Sequence, residues 1–254
     1  MKRIIFFSLL VILVFCTSLV VHLPLSFAVK YMPEVRGLQL SGLNGTLWQG
    51  SAKTVKWNNR NFGQLNWDFQ PASLFSGKAQ FAVRFGRDSD LNLSGKGIVG
   101  ADFSGLYAEN VFASLPASSV QSQVQIPVPV TATGQLELSV SEYRFAQPWC
   151  ESATGSLVWN ASEVQSPLGT LSPGTIIADI SCKDSVLSAS SAHEHPQLSG
   201  AFTASLDSRR QYKVDAWFKP NSEFPQAMTS QLKWLGNPDS QGRYPFLFSG
   251  GLRY

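Results

Sequence analysis

Histidine and cysteine are scarce in this chain, with three of each in 254 residues, and charged residues make up only 15% of it. Few histidines leave little material for a hydrolytic triad. His22 borders an apolar run, and no G-x-S-x-G elbow accompanies His193 and His195. No C-x-x-C pair is present to start a zinc site. The net charge is +3, and without Lys2 and Arg3 eighteen basic residues face seventeen acidic ones. That balance excludes the concentrated basic face that nucleic-acid binding requires. Disorder is excluded too, because 44% of the residues are hydrophobic.

The patterns that resemble chemistry are incomplete. His193-Glu194-His195 would put two imidazoles on one side of a strand, where they could hold a metal, but the surrounding Ser190, Ser191, Ala192 and Pro196 predict a polar loop. Gly95-Lys96-Gly97-Ile98-Val99-Gly100 fits G-x-G-x-x-G. It is followed by Ala101-Asp102-Phe103-Ser104-Gly105 and not by the helix that would receive a pyrophosphate, so a turn between strands is expected. Carboxylates are scattered, and no pair stands out. These readings predict no enzyme, and no catalytic residue, cofactor or metal is assigned.

What the chain does have begins at its N-terminus. After Met-Lys-Arg, positions 4–21 carry no charge and no proline, with Ile4, Leu10, Leu13, Phe15 and Val21 among them. At a helical rise of ~1.5 Å per residue the run spans roughly 27 Å, close to the hydrocarbon thickness of a bilayer. It reads as a single transmembrane signal-anchor. Ser26-Phe27-Ala28 supplies the competing reading of a cleaved signal peptide, whose apolar core is usually shorter. Lys2 and Arg3 hold the N-terminus inside, which places the chain from about residue 30 outside the cytoplasm. There Cys150 and Cys182 are most simply one disulfide. A metal site built on them is the weaker alternative, and a Cys150 thiolate nucleophile would be lost to the bond.

Seven Trp, seventeen Phe, 20 Gly and 14 Pro describe a β-rich chain with many turns. Alternating segments appear at 38–43, 64–69, 79–85, 91–93, 135–140, 156–159, 175–180, 201–206, 212–218 and 245–252, with turn signals at Asn44-Gly45, Ser94-Gly95 and Ser199-Gly200. Pro71 opens one helical turn, and a short helix from Pro225 to Leu235 stops at Gly236 before Pro238. The Ser-, Gln- and Pro-rich stretch 113–133 reads as an edge, crossover or linker. The expected organisation is mainly β: an anchor over 1–29, then a curved antiparallel meander with a first β half over 30–125 and a second over 126–254. Gly45-Thr46-Leu47-Trp48 finds an echo in Gly155-Ser156-Leu157-Val158-Trp159, which suggests two similar halves. Trp48, Trp57, Trp67, Trp159, Trp217 and Trp234 read as core fillers, with Gly45 and Gly50 as strand glycines that let a sheet bend around Trp48.

The order of these motifs resembles a family. A signal-anchor, then Gly45-Thr46-Leu47-Trp48 with Gly50 and Ala52, Gly63 with Leu65 and Trp67, Pro71 with Ser73, Leu74 and Gly77, Cys150 before Gly155 to Trp159, Cys182, and Gly236-Asn237-Pro238-Asp239 together resemble type II secretion system protein N. The resemblance implies a non-catalytic accessory component in the cell inner membrane, single-pass, with its C-terminal domain in the periplasm. It also implies other platform subunits and the secretin as partners in export across the outer membrane of Gram-negative bacteria. A second similarity, to AsmA-like periplasmic β proteins, implies the alternative of a β-groove that binds or transfers lipid.

Overall fold

The computed structural model describes residues 37–121 and 130–252, together with positions 6, 7, 10–12, 14, 15, 18, 24 and 25. No helix among the described residues is long and apolar enough to cross a membrane. Ile4, Leu13 and Val21 of the expected anchor lie outside the described residues, as does the expected boundary at 125/126, whereas Leu10 and Phe15 are helical and exposed.

Fourteen strands follow: β1 (Leu38–Gly45), β2 (Gln49–Trp57), β3 (Arg60–Asn61), β4 (Gln64–Phe69), β5 (Ala79–Arg87), β6 (Ser94–Asp102), β7 (Gly105–Pro116), β8 (Thr131–Arg144), β9 (Ser152–Ser166), β10 (Gly169–Lys183), β11 (Val186–His193), β12 (Leu198–Leu206), β13 (Gln211–Pro220) and β14 (Tyr244–Gly251). Apart from the short β3, which pairs β2, each strand lies antiparallel beside the next in one continuous open sheet. Sequential hairpins need only local turns, and this chain supplies them in quantity. The thirteen strands of the main path span about 58 Å at ~4.8 Å per spacing. β7 and β8, which flank the expected boundary between halves, pair from Tyr107↔Arg144 to Pro116↔Gln135.

Between Leu38 and Gly251 the helices are short. A 3-10 turn (Pro71–Ser76) follows β4, α1 (Ala117–Gln121) follows β7, and α2 (Gln226–Thr229) continues into a second 3-10 turn (Ser230–Leu235) that ends at Gly236. The proline-opened turn and the Pro225 segment match expectation.

Four local expectations are corrected. Leu91–Leu93 is a loop, because the Ser89 hydroxyl accepts from the Leu93 N–H and Asn92 takes a left-handed φ of 50°. Ser94-Gly95 and Ser199-Gly200 lie within β6 and β12, where cross-strand pairing overrides turn propensity. The glycines at 95, 97 and 100 likewise belong to β6 and not to a turn. A Cβ at Gly95 would lie 2.3 Å from the Phe85 ring and one at Gly97 2.8 Å from Val111, so these glycines make room for neighbouring side chains. Part of the expected linker is strand, since Ala113–Pro116 complete β7.

The fourth correction concerns Gly45-Thr46-Leu47-Trp48-Gln49-Gly50. Gly45 pairs with Gly50, and the residues between them form the β1–β2 turn, closed by the Thr46 N–H donating to the Gln49 carbonyl at 2.8 Å. Trp48 is therefore a turn residue, while Trp159, its echo, sits inside β9, so the two stretches occupy different structural positions. The indole that lies against a glycine is that of Trp67: a Cβ on Gly50 would stand 2.6 Å from its ring.

Candidate functional site

Ladder registers put alternate residues of every strand on one of two faces. From β4 onward one face is apolar. Leu65, Trp67 and Phe69 of β4 share it with Phe81, Val83 and Phe85 of β5. The same face carries Leu136, Leu138 and Val140 of β8 beside Trp159 and Leu157 of β9, and continues through Ile176, Ala178 and Ile180 to Val214, Phe246 and Phe248. The opposite face is polar, with Asn66, Arg84, Lys96, Ser139, Ser156, Asp179, Ser181, Thr203 and Asp215.

Nothing among the described residues covers the apolar face as a second layer would. A packed domain hides its largest hydrophobic side chains completely. Here the largest side chains with less than 2% exposure are Cys150 and Ser162, and the big residues of the apolar face are all half-buried or exposed. Polar tips on this face are satisfied internally. Trp67 Nε1 donates to the Leu47 carbonyl at 3.0 Å, Trp159 Nε1 to the Thr133 carbonyl at 2.9 Å, and the Tyr143 hydroxyl to the Trp149 carbonyl. Burial pushes the Tyr143 phenol above its ordinary pKa.

The polar face holds two features. A concavity of about 650 Å³ is lined by Ser51, Asn66, Asp68, Arg84, Lys96 and Asn110. Within it Arg84 and Lys96 are directly opposed across β5 and β6, and neither joins an ion pair among the described residues. Nearby, Arg144 grips Asp102 with two hydrogen bonds of 3.0 Å, and Lys78 meets Glu109 at 3.0 Å. The Tyr107 ring lies between the two cations, 5.1 Å from Lys78 and 5.6 Å from Arg144.

The hydrogen bonds from Arg144 hold the Asp102 carboxyl below its ordinary pKa, and the Glu109 hydrogen bond raises that of Lys78. A lowered folded-state pKa means that the Asp102 contribution is present above the unfolded carboxylate value of ~3.9 and is lost as pH falls through the folded value. Arg144→Ala is accordingly destabilised relative to the parent in urea at pH 7, and the difference shrinks at pH 3. Equal differences at both pH values would dismiss the ion pair as the cause.

We call the strand ends at Gly45 and Gly50 the upper rim and the other ends the lower rim. The upper rim gathers Gly45, Leu47, Trp48, Gly50 and Trp67, where the Trp48 ring packs on Phe69 at 4.9 Å and Phe69 on Phe81 at 5.1 Å. Pro24 forms an isolated bridge to Thr46 at this place, and Leu25 beside it is buried. Trp159 stands apart in β9. Trp57, expected as a core filler, is 43% exposed, Trp217 is half-buried under the Arg243 guanidinium at 5.2 Å, and the Trp234 side chain lies outside the described residues.

Cys150 and Cys182 are joined as a disulfide between buried residues with Cα atoms 6.4 Å apart, on the upper rim of the later strands. The Cys150 carbonyl accepts from the Ser185 N–H at 2.8 Å, which fixes the β10–β11 turn against the bond. Trp149, which the sequence reading passed over, donates from Nε1 to the Asp207 carbonyl at 3.0 Å and ties this loop to the β12–β13 turn.

Gly236, Pro238 and Asp239 lie at the lower rim. Gly236 ends the second 3-10 turn with φ of 92°, Pro238 is exposed, and the Asp239 carboxylate accepts from Gln241 N, Arg243 N and Arg243 Nε. These bonds, with the Arg243 N–H first among them, depress the Asp239 pKa and set the entry to β14.

The polar loop expected here is corrected, since Ser190, Ser191 and Ala192 belong to β11; His193 ends that strand, with Nε2 2.8 Å from the Pro173 carbonyl, and His195 occupies the following loop with its ring stacked 6.0 Å away. No group of three His, Cys, Asp or Glu among the described residues is placed to hold a metal.

Among the described residues, open extended surfaces on a single-layer β-sheet, and not an enclosed cleft, are what this class of protein presents. Residues 36–247 match the family model for type II secretion system (T2SS), protein N. The type II secretion system protein N of Vibrio cholerae serotype O1 is 44% identical over 252 residues, covering 99% of this chain and 100% of the relative. Its counterpart in Aeromonas hydrophila is 31% identical over 255 residues, with 99% and 100% covered, and that of Pectobacterium carotovorum subsp. carotovorum is 25% identical over 229 residues, with 87% of each covered. No solved structure matches the chain significantly. The chain belongs to the type II secretion system protein N family, as the motif order implied.

Proposed function

We propose that the chain is a non-catalytic accessory component of type II secretion, anchored in the inner membrane by residues 4–21, with its sheet in the periplasm among other platform subunits and the secretin. Family membership supports the secretion role, and the open sheet supports the scaffold role. Among the described residues β14 pairs with β13 on one side only and exposes Leu247 and Phe248, so this edge offers backbone groups and apolar contacts to a partner strand.

Crosslinking the intact protein in its native envelope, followed by mass spectrometry, tests this reading. Recovery of platform or secretin subunits is expected, and their absence would remove the scaffold. The double variant His193→Ala, His195→Ala is expected to keep secretion intact. Lost secretion with retained folding would argue for a metal or catalytic role instead.

The uncovered apolar face favours a second reading, a surface that binds or transfers lipid. Lipid extracted with the purified protein would support it, and lipid-free protein of unchanged stability would sink it.

A further inference from the structure

The upper rim of the early strands carries apolar side chains that project beyond the sheet. Phe75, in the turn between β4 and β5, is 97% exposed, and Phe103, at the tip between β6 and β7, is 100% exposed. The two tips adjoin, since a Cβ on Gly77 would stand 3.0 Å from the Phe103 ring. Leu74 and Leu106 beside them are 55% and 59% exposed, and exposed Phe145 extends the patch, its N–H donating to the Leu106 carbonyl. Behind the tips an apolar hollow of about 340 Å³ is lined by Ala79, Phe81, Val99, Ala101 and Leu106.

We propose that this rim, with Leu74, Phe75, Phe103 and Leu106 at its tips, inserts into the surface of a lipid bilayer. Isolated exposed hydrophobics are ordinary, but a contiguous group crowning neighbouring turns marks an interaction site. Three observations select lipid as its occupant. The apolar run 4–21 leads directly to Pro24, which bridges Thr46 on this same rim, so a chain anchored by that run brings the tips to the bilayer. The side chains crown turn tips and do not lie on a flat face or a free strand edge, a shape that matches shallow entry into the headgroup and acyl boundary. The carboxylate that precedes Phe103, Asp102, is already paired with Arg144, so seating that tip leaves no free anion directly beside it. The later strands differ, because apolar residues at their upper rim such as Val186 and Leu187 are 40% and 39% exposed and stand among the charged residues Lys183, Asp184, Asp207, Arg209 and Arg210. The sheet therefore meets the membrane by its early corner.

This inference rests on the anchored reading above. Its test places the full-length protein in vesicles of phosphatidylethanolamine and phosphatidylglycerol containing a phospholipid with a photoreactive group on its acyl chain, and maps adducts by mass spectrometry. Adducts are expected at positions 74–75, 103–106 and 145, in addition to 4–21, and in excess of those at Leu168 and Leu235. Those two are exposed leucines on the lower rim and control for simple apolarity.

Phe75→Asp with Phe103→Asp, at positions too exposed to disturb packing, is expected to lose the adducts at Leu74 and Leu106 while keeping the parent's melting temperature. Adducts confined to 4–21, or equal on both rims, overturn the proposal. So does capture of the rim by a protein neighbour in place of lipid. Rim adducts without any secretion subunit in the native crosslinking would leave this inference standing and remove the scaffold. Release of the protein by alkaline carbonate would remove the anchor on its own account.

Discussion

Reducing the Cys150–Cys182 bond is expected to lower the melting temperature by roughly 10 °C, on the chain-entropy estimate of ~3–4 kcal/mol for a loop of this length and 2–4 °C per kcal/mol for a chain of this size. The bond spans 32 residues and closes the β9–β10 hairpin against the loop that leads into β9. In a meander each strand is laddered only to its neighbours, so below the melting temperature the loosening shows first around the bond, as in repeat arrays. Amide exchange should accelerate in β9, β10 and β11 while β4–β6 remain protected. An unchanged melting temperature on reduction, with free thiols verified, would show that the bond carries no stability.

Gly50→Ala is the second large effect. The added Cβ would meet the Trp67 ring at 2.6 Å and the Asn44 and Thr46 carbonyls at 2.9 Å. Two of these neighbours are backbone carbonyls, one at the end of β1 and one in the turn, and cannot swing away. Overpacking of this kind costs about 1–3 kcal/mol, felt as faster exchange in β1, β2 and β4 and as loss of the bond from Trp67 Nε1 to Leu47. Gly251→Ala is the matched control, because its Cβ would meet only the flexible end of the Gln211 side chain, at 3.1 Å. Equal stability of both variants would show that Trp67 does not lean on Gly50. The same geometry explains the Trp between two glycines: Trp48 turns the corner, and Gly50 leaves space for a different indole.

Much of the strand order was legible. Gln64-Leu65-Asn66-Trp67-Asp68-Phe69 alternates because a half-buried strand must, and β4 occupies those residues. Pro71 and Gly236 marked the short helical turns for reasons confined to their own backbones. The misreadings came where a distant strand decides. Ser94-Gly95 has turn chemistry, yet pairing with Phe85 on one side and with Ala113 and Ser114 on the other holds it extended. The rim patch was equally hidden. Asp102-Phe103-Ser104-Gly105 was visible as a break after the glycine motif, but nothing local told that its phenylalanine would stand beside Gly77.

The sequence by itself determined the β class, the turn-rich meander, the pairing partner of each later cysteine and, through motif order, the family. All of these rest on composition, on a two-residue period or on contacts near in the chain. Tertiary structure alone decided that the apolar sets of β4 and the strands after it fall on one common face, that no second layer among the described residues covers it, and that Phe75 and Phe103 adjoin on the rim that also carries Thr46. Cross-strand register sets these features, and register is a long-range choice: a one-residue slip would exchange the two faces without altering any strand's own alternation.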